Sequence, residues 1–349
     1  MFNSIDADYG SIYGRLNNRQ HPIESIIPPT TDGKVSQSNS MVGFLSEWIR
    51  FKEHNLRPKT SQDYNRILGK YIFPYFKELH LSDLNTHLIN QFYCSLVEGK
   101  TGFRTIRYIH SILRVALKDA MFQGLISSNP TTGAILPRWN KQEMHALEEK
   151  EVQRFLVAAI DSRFYYFYYL AIVTGMRLGE LIGLKWIDID FHSQVITVRR
   201  QAQAIRGRGI IFSEPKTRSG VRKIKVQAHT MDALLEQQKR IRNLRLIAGN
   251  KWMENDLVFP SNVGSALITN HLRIDFRKRL SMAGLPRIRI HDLRHTAATL
   301  LINHNVPIIV ISKMLGHSKP SVTLDFYGHC SVAMQDEASR IMDGIINKP

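Results

Sequence analysis

The stretch from 104 to 124 constrains the fold more than any other part of the chain. Ile106, Ile109, Leu113, Ala116, Leu117 and Ala120 recur at helical intervals, while Arg104, Arg107, Ser111, Arg114 and Lys118 recur on another side. Only an α-helix sorts these residues onto separate faces, so the segment is predicted to be a helix with one face in a core and another that is basic. A solvated charged face is the commoner reason for such a stripe. Here every charge in the stripe has the same sign, which helix stability alone does not ask for, and phosphate contact accounts for it better.

Helical spacing surrounds this segment. Phe44, Leu45, Trp48 and Ile49, then Tyr64, Ile67, Leu68, Tyr71 and Ile72 after Pro58, place a helical unit over residues 41–136, closing beyond Asn129-Pro130. Residues 137–146 read as a linker. Residues 1–40 are rich in Ser, Asn, Pro and Thr and carry no period, so they read as a flexible arm. Its four acids (Asp6, Asp8, Glu24, Asp32) and three bases (Arg15, Arg19, Lys34) leave the positive charge to come from elsewhere.

A second unit, 147–330, opens with Glu148, Glu149 and Glu151 in a first helical turn, where the helix dipole favours acids. The aromatic run from Phe164 to Tyr169 reads as core. Residues 186–189, 195–198 and 221–226 have the β-rich content of strands, and helical spacing returns over 231–247 and 272–282. In the tail, 331–349, Met334, Ala338, Ile341, Met342 and Ile345 mark an amphipathic helix. The expected fold class is mainly α with a small antiparallel β-sheet, in two domains.

Composition limits the partners. The 349 residues, 43% hydrophobic, suffice for two packed domains. Lys and Arg number 47 against 30 Asp and Glu, a formal charge of +17, which calls for a polyanion or a membrane surface. No apolar run approaches the roughly 20 residues of a spanning helix, and the amino terminus lacks the layout of a secretion signal. A cytoplasmic, nucleoid-associated protein without a membrane partner is expected. Cys94 and Cys330, far apart and outside any metal spacing, fit a reducing compartment as buried or incidental thiols.

Between Arg199 and Lys225 stand nine bases and one acid, Glu214, interrupted by glycines at 207, 209 and 220. This reads as a β-hairpin or loop whose tip approaches a duplex groove, with Lys216 the base of chief interest. Arg177 lies in Thr174-Gly175-Met176-Arg177-Leu178-Gly179-Glu180, His291 and Arg294 in His291-Asp292-Leu293-Arg294-His295, His317 in Leu315-Gly316-His317, and Tyr327 follows. Together they supply two permanently charged guanidinium forks, two imidazoles and a phenol, the equipment for attacking a phosphodiester without a metal. His291 and Arg294, three apart on a predicted helix, project toward one point. A lone His is usually a satisfied surface or core residue and a lone Tyr usually packs; the joint order carries the reading. His291 and His295 have zinc spacing, but Asp292 stands where the zincin motif needs Glu and Arg294 would put a cation beside the metal. Gly99-Lys100-Thr101 looks like a phosphate-loop ending with Cys94 in place of the first glycine. Neither a metal nor a nucleotide is expected.

The His-x-x-Arg, Leu-Gly-His and Tyr series, in this order, resembles that of the tyrosine recombinases, the phage-integrase family that includes lambda integrase, Cre and the Xer proteins, over roughly residues 41–340. The resemblance implies a two-domain clamp: a helical core-binding domain and a mixed α/β catalytic domain that close on double-stranded DNA. It implies a site-specific recombinase, the integrase of a bacterial or phage mobile element, that works as a homotetramer on two recombination sites through a 3′-phosphotyrosyl intermediate and a Holliday junction. Accessory proteins that bend DNA or assist excision are implied partners, and no cofactor is. Arg177 and Arg294 look like the arginines that hold the scissile phosphate, Lys216 like the hairpin lysine, His291 and His317 like the supporting histidines, and Tyr327 like the nucleophile. Glu180 matches an acidic position that braces the pocket from behind. The family often has Ser four places after the lysine; here Ser219 is three after it and Gly220 takes the fourth place, while Arg222 and Ile224 fit. Lys59, Arg104, Arg107, Arg114, Lys118, Arg218 and Arg222 are the expected DNA contacts outside the catalytic set. The tail is expected to dock on a neighbouring protomer. Tyr9-Gly10-Ser11-Ile12-Tyr13 resembles the opening of an arm-site-binding domain, with too few residues after it for a folded unit. Two other readings remain: a type IB topoisomerase-like strand-relaxing enzyme, and a DNA-binding regulator that has lost the reaction.

Overall fold

The computed structural model describes residues 40–138, 145–205, 207–215 and 218–317, together with 339, 340 and 342. Residues 1–39 of the arm, Lys216, Tyr327, Cys330 and nearly all of the tail lie outside the described residues.

The first hydrophobic core is helical. Ser40 accepts the Gly43 N–H at 3.0 Å and starts α1 (Met41–Glu53); Pro58 at the first turn, where its missing N–H costs nothing, starts α2 (Pro58–Ile67). A π-helical turn over Leu68–Ile72 then leads to α3 (Phe73–Tyr75). Pro74 has no N–H to continue the regular ladder, and the widened turn, in which the Phe73 N–H reaches back to the Leu68 carbonyl, accommodates it. Asn85 caps α4 (Thr86–Glu98), and α5 (Phe103–Phe122) follows. Ile106, Ile109, Leu113, Ala116, Leu117 and Ala120 of α5 are all fully buried, packed with Met41, Leu45, Ile67, Ile72, Ile89 and Phe92. Arg104, Arg107, Arg114 and Lys118 are exposed, as the spacing predicts. The Trp48 indole N–H bonds Asp119 at 2.7 Å and Lys52 pairs with the same carboxylate, tying α1 to α5.

The second core starts at Leu147. Its N–H donates to Thr296 Oγ1 at 3.0 Å in a buried bond. Glu148 and Glu151 form a capping box at the head of α6 (Glu149–Ala158), and α7 (Tyr165–Thr174) and α8 (Leu178–Ile182) follow. Phe164, Phe167 and Tyr168 are buried, so the aromatic run is core. Next come β1 (Ile189–Asp190), β2 (Val195–Val198), β3 (Gln201–Ile205), β4 (Gly209–Ser213) and β5 (Arg222–Lys225). Strands β1, β2 and β5 form an antiparallel sheet in that order, with Ile196 opposite Ile189 and Ile224; β3 and β4 form a separate hairpin. Helices α9 (Ala228–Ala248), α10 (Thr269–Met282), α11 (Asp292–Asn303) and α12 (Ile308–Leu315) follow. The fold class is as expected: mostly helical, with small antiparallel sheets.

One local expectation is corrected. Residues 186–189 are mainly not a strand: Trp186–Asp188 is a 3-10 turn, because the Asp188 carboxylate accepts the Lys185 N–H at 3.1 Å and is held by Arg199 and Arg200. The base-rich stretch holds a hairpin, as expected, and then β5, an edge strand of the other sheet, within the expected 221–226 strand. Of the two readings of Cys94, buried or incidental, the second remains, since the thiol is exposed and free. Among the described residues, no helix is long and apolar enough to cross a membrane.

Candidate active site

Three segments far apart in sequence meet: the turn between α7 and α8, the start of α11 and the end of α12. Helix α7 stops at Gly175, which takes φ of 59°, a left-handed conformation that side chains disfavour. A Cβ there would lie 2.4 Å from Leu315 Cδ2, so the glycine also lets α12 close in. The turn aims the Gly175 carbonyl at Arg294, whose Nη1 donates to it at 2.8 Å. Arg294 is 4% exposed, on the first turn of α11.

Arg177 sits just ahead of α8. Its backbone N–H donates to Glu180 Oε2 at 2.9 Å, its Nη1 to Glu180 Oε1 at 2.8 Å, and its Nη2 to the Gly316 carbonyl at 3.0 Å. Its side chain keeps 36% of its surface open to solvent, while that of Glu180 keeps 2%. Burial alone would raise the Glu180 pKa, but hydrogen bonds and charge from Arg222, with help from Arg177, hold it below the usual carboxylate range.

The imidazoles complete the cluster. His291 caps α11 rather than lying within it, with its ring 5.4 Å from that of His295 at 89°. Burial, then the Arg294 charge, lowers its pKa. His317 follows Gly316, its N–H bonded to the Ser312 carbonyl at 3.0 Å. Burial first, then the charges of Arg294 and Arg177, pull its pKa down to about 4. The His295 ring is likewise lowered to about 4 by burial and by His291. All three rings are therefore neutral near pH 7, able to donate and accept hydrogen bonds beside two fixed cations. Asp292, buried at the start of α11, pairs with Arg289 at 2.7 Å.

The structure thus brings together Arg177, Glu180, His291, Arg294 and His317; Lys216 and Tyr327 lie outside the described residues. Arg222 departs from expectation. It is 8% exposed and paired with Glu180 at 2.8 Å, because β5 turns it toward α8 and α12 rather than toward solvent. Lys59 is half-buried and pairs with Asp63 at 3.4 Å. His295 joins the imidazole cluster, although the sequence pointed to it only as half of a zinc spacing.

The Phage integrase family profile matches residues 145–334, and its N-terminal SAM-like domain matches residues 42–97. The chain belongs to the phage integrase family. This integrase is 29% identical over 315 residues to a XerC-like tyrosine recombinase of Caldanaerobacter subterraneus, covering 84% of this chain and 79% of the relative. It is 27% identical to the putative prophage phiRv2 integrase of Mycobacterium tuberculosis, covering 94% and 84%. Among solved structures, the Tn1549 transposon integrase in complex with a circular intermediate DNA superposes with a TM-score of 0.76 at 21% identity, over 87% of this chain and all of that one. A lambda integrase tetramer bound to a Holliday junction superposes at 0.60 and 19% identity, over 82% and 80%. The integrase is accordingly a tyrosine-type site-specific recombinase.

Proposed function

We propose that Arg177 and Arg294 hold the scissile phosphate of a DNA recombination site and that Tyr327 attacks it. The observation that carries the reading is the meeting of two guanidinium groups with His291 and His317 from three separate segments, one of the arginines partly open to solvent. The attack is an in-line displacement. The Tyr327 phenolic oxygen bonds to phosphorus, the bond to the deoxyribose 5′ oxygen breaks, and a 3′-phosphotyrosyl ester results. A phenol of pKa about 10 is protonated near neutrality and gives up its proton as it attacks; the neighbouring cations lower that cost. The arginines face oxygens whose negative charge grows in the transition state, and removing one such donor typically costs on the order of 3 kcal/mol. The 5′ oxygen is a poor leaving group, and Lys216 is assigned as its proton donor. His291 and His317, neutral at working pH, hold phosphate oxygens and pass protons. The ester keeps the bond energy, so a 5′ hydroxyl reseals the strand without ATP or Mg²⁺.

The rest of the reading concerns assembly. We assign residues 41–136 to core binding, 137–146 to the connection, 147–330 to catalysis and 331–349 to docking on a neighbouring protomer, within a tetramer that works through a Holliday junction. Arg104, Arg107, Arg114, Lys118, Lys59 and Arg218 are assigned to DNA, with accessory bending or excision proteins as further partners. The site is tested by Tyr327→Phe: covalent capture of a nicked suicide substrate should vanish while duplex binding stays nearly intact. Undiminished capture would remove Tyr327 as the nucleophile.

A further inference from the structure

Arg222 stands in a run of bases that reads as a DNA surface, yet its donors are turned inward. Nε donates to the Met314 carbonyl at 2.6 Å, Nη1 to the Gly220 carbonyl and to Glu180 Oε1 at 3.1 Å each, and Nη2 to Glu180 Oε2 at 2.8 Å. Reaching a phosphate would break a buried ion pair and leave the Glu180 carboxylate with Arg177 alone, which is unfavourable.

Two consequences follow from this geometry. The first is mechanical. Met314 and Gly316 form the end of α12, directly before His317; Arg222 grips one carbonyl and Arg177 the other, and Glu180 joins the two guanidinium groups. The fit is close: Gly316 takes φ of 71°, and a Cβ there would lie 3.0 Å from Arg222 Cδ and Nη1 and 2.8 Å from the Ser219 carbonyl oxygen. The second is electrostatic. One carboxylate faces two cations, so its charge is divided between them. Were Arg222 neutral, Glu180 would pair with Arg177 alone and cancel its field at a bound anion, an effect that a site shielded from water magnifies.

We infer that Arg222 is a positioning residue of the strand-transfer site: it shares Glu180 with Arg177, leaving Arg177 charged toward the phosphate, and fixes the end of α12 that carries His317. The inference rests on the assignment of Arg177 to the phosphate.

The test is single-turnover covalent capture of a nicked suicide substrate by the full chain, with duplex affinity measured across salt concentrations. R222Q should capture about 100-fold more slowly, with affinity and salt slope nearly unchanged. The double variant E180Q/R222Q should regain about tenfold over R222Q, because no orphan carboxylate is left to cancel Arg177. R222K keeps the charge but cannot span the three elements with a fork, and should fall between R222Q and wild type while melting close to wild type. A double variant no faster than R222Q would overturn the inference, as a purely structural role predicts that result. So would a weakened affinity with a shallower salt slope, the signature of a phosphate contact, or a folded R222K that captures at the wild-type rate. R177A serves as the control: wild-type capture by that variant would defeat the phosphate assignment itself, whatever Arg222 does.

Discussion

The basic face of α5 and the cluster at the end of α12 hold the same kinds of side chain in opposite circumstances. On α5, Arg104, Arg107, Arg114 and Lys118 are exposed; Arg107 donates to the Pro137 carbonyl at 3.4 Å, and Lys118 lies over the Phe122 ring. At the site, Arg294 and Arg222 are buried, and Arg177 is half-buried and held by Glu180 and Gly316. Exposed cations act through a screened, adjustable field that sets affinity and its salt dependence. Enclosed cations have their orientation settled before any ligand arrives, and this serves chemistry, where a donor must already point at charge that appears only in the transition state.

The contrast can be broken most sharply at Arg294. Arg294→Lys keeps the charge and loses the planar fork, so covalent capture should fall by about 10²- to 10³-fold with little change in duplex affinity. A loss seen mainly in affinity would place Arg294 with the exposed group. Next in size is the triple change of Arg104, Arg107 and Arg114 to Ala. Affinity should fall by about 10- to 100-fold, and the slope of log affinity against log salt should become shallower by up to about 2.7, roughly 0.9 for each phosphate no longer neutralised. An unaltered slope would return that face to plain solvation. Gly316→Ala tests how tightly the enclosed group is packed: a left-handed residue and a clash with Arg222 should cost about 1–2 kcal/mol, read as lowered thermal stability together with slower capture.

The smallest effect concerns pH. His295 and His317 have folded pKa values lowered to about 4, against 6.5 for the ordinary group. Between those values the unfolded chain binds more protons, so stability is full above about pH 6.5 and declines as pH falls toward 4. His295→Asn should flatten that decline, moving the melting temperature at pH 5 relative to pH 7 by an amount on the order of a few °C. An unchanged pH dependence would mean that His295 does not carry the linkage.

Legibility in the sequence followed the range of the interactions. The two faces of α5 are visible because helical spacing is local, and Val195–Val198 is visible because alternation is local. The clustering of Arg177, His291, Arg294 and His317 was foreshadowed by their order, although the roles of these residues remain assignments. What the sequence concealed depends on distant partners. Trp186–Asp188 has strand-like composition and is bent by Asp188, whose arginine partners come more than ten residues later. Arg222 looks like one more base in a basic run because Glu180, which decides its direction, is 42 residues away. His295 is four residues from His291, a spacing that brings the two rings together, but in the sequence it read only as half of a zinc spacing.

The bond between the Leu147 N–H and Thr296 Oγ1 gives the second domain an unusual point of attachment. Thr296 lies two positions beyond Arg294 on the same helix, and Leu147 is the first member of the second core after the junction between the cores. The residue at which the second core begins is therefore hydrogen-bonded directly to the helix that bears Arg294.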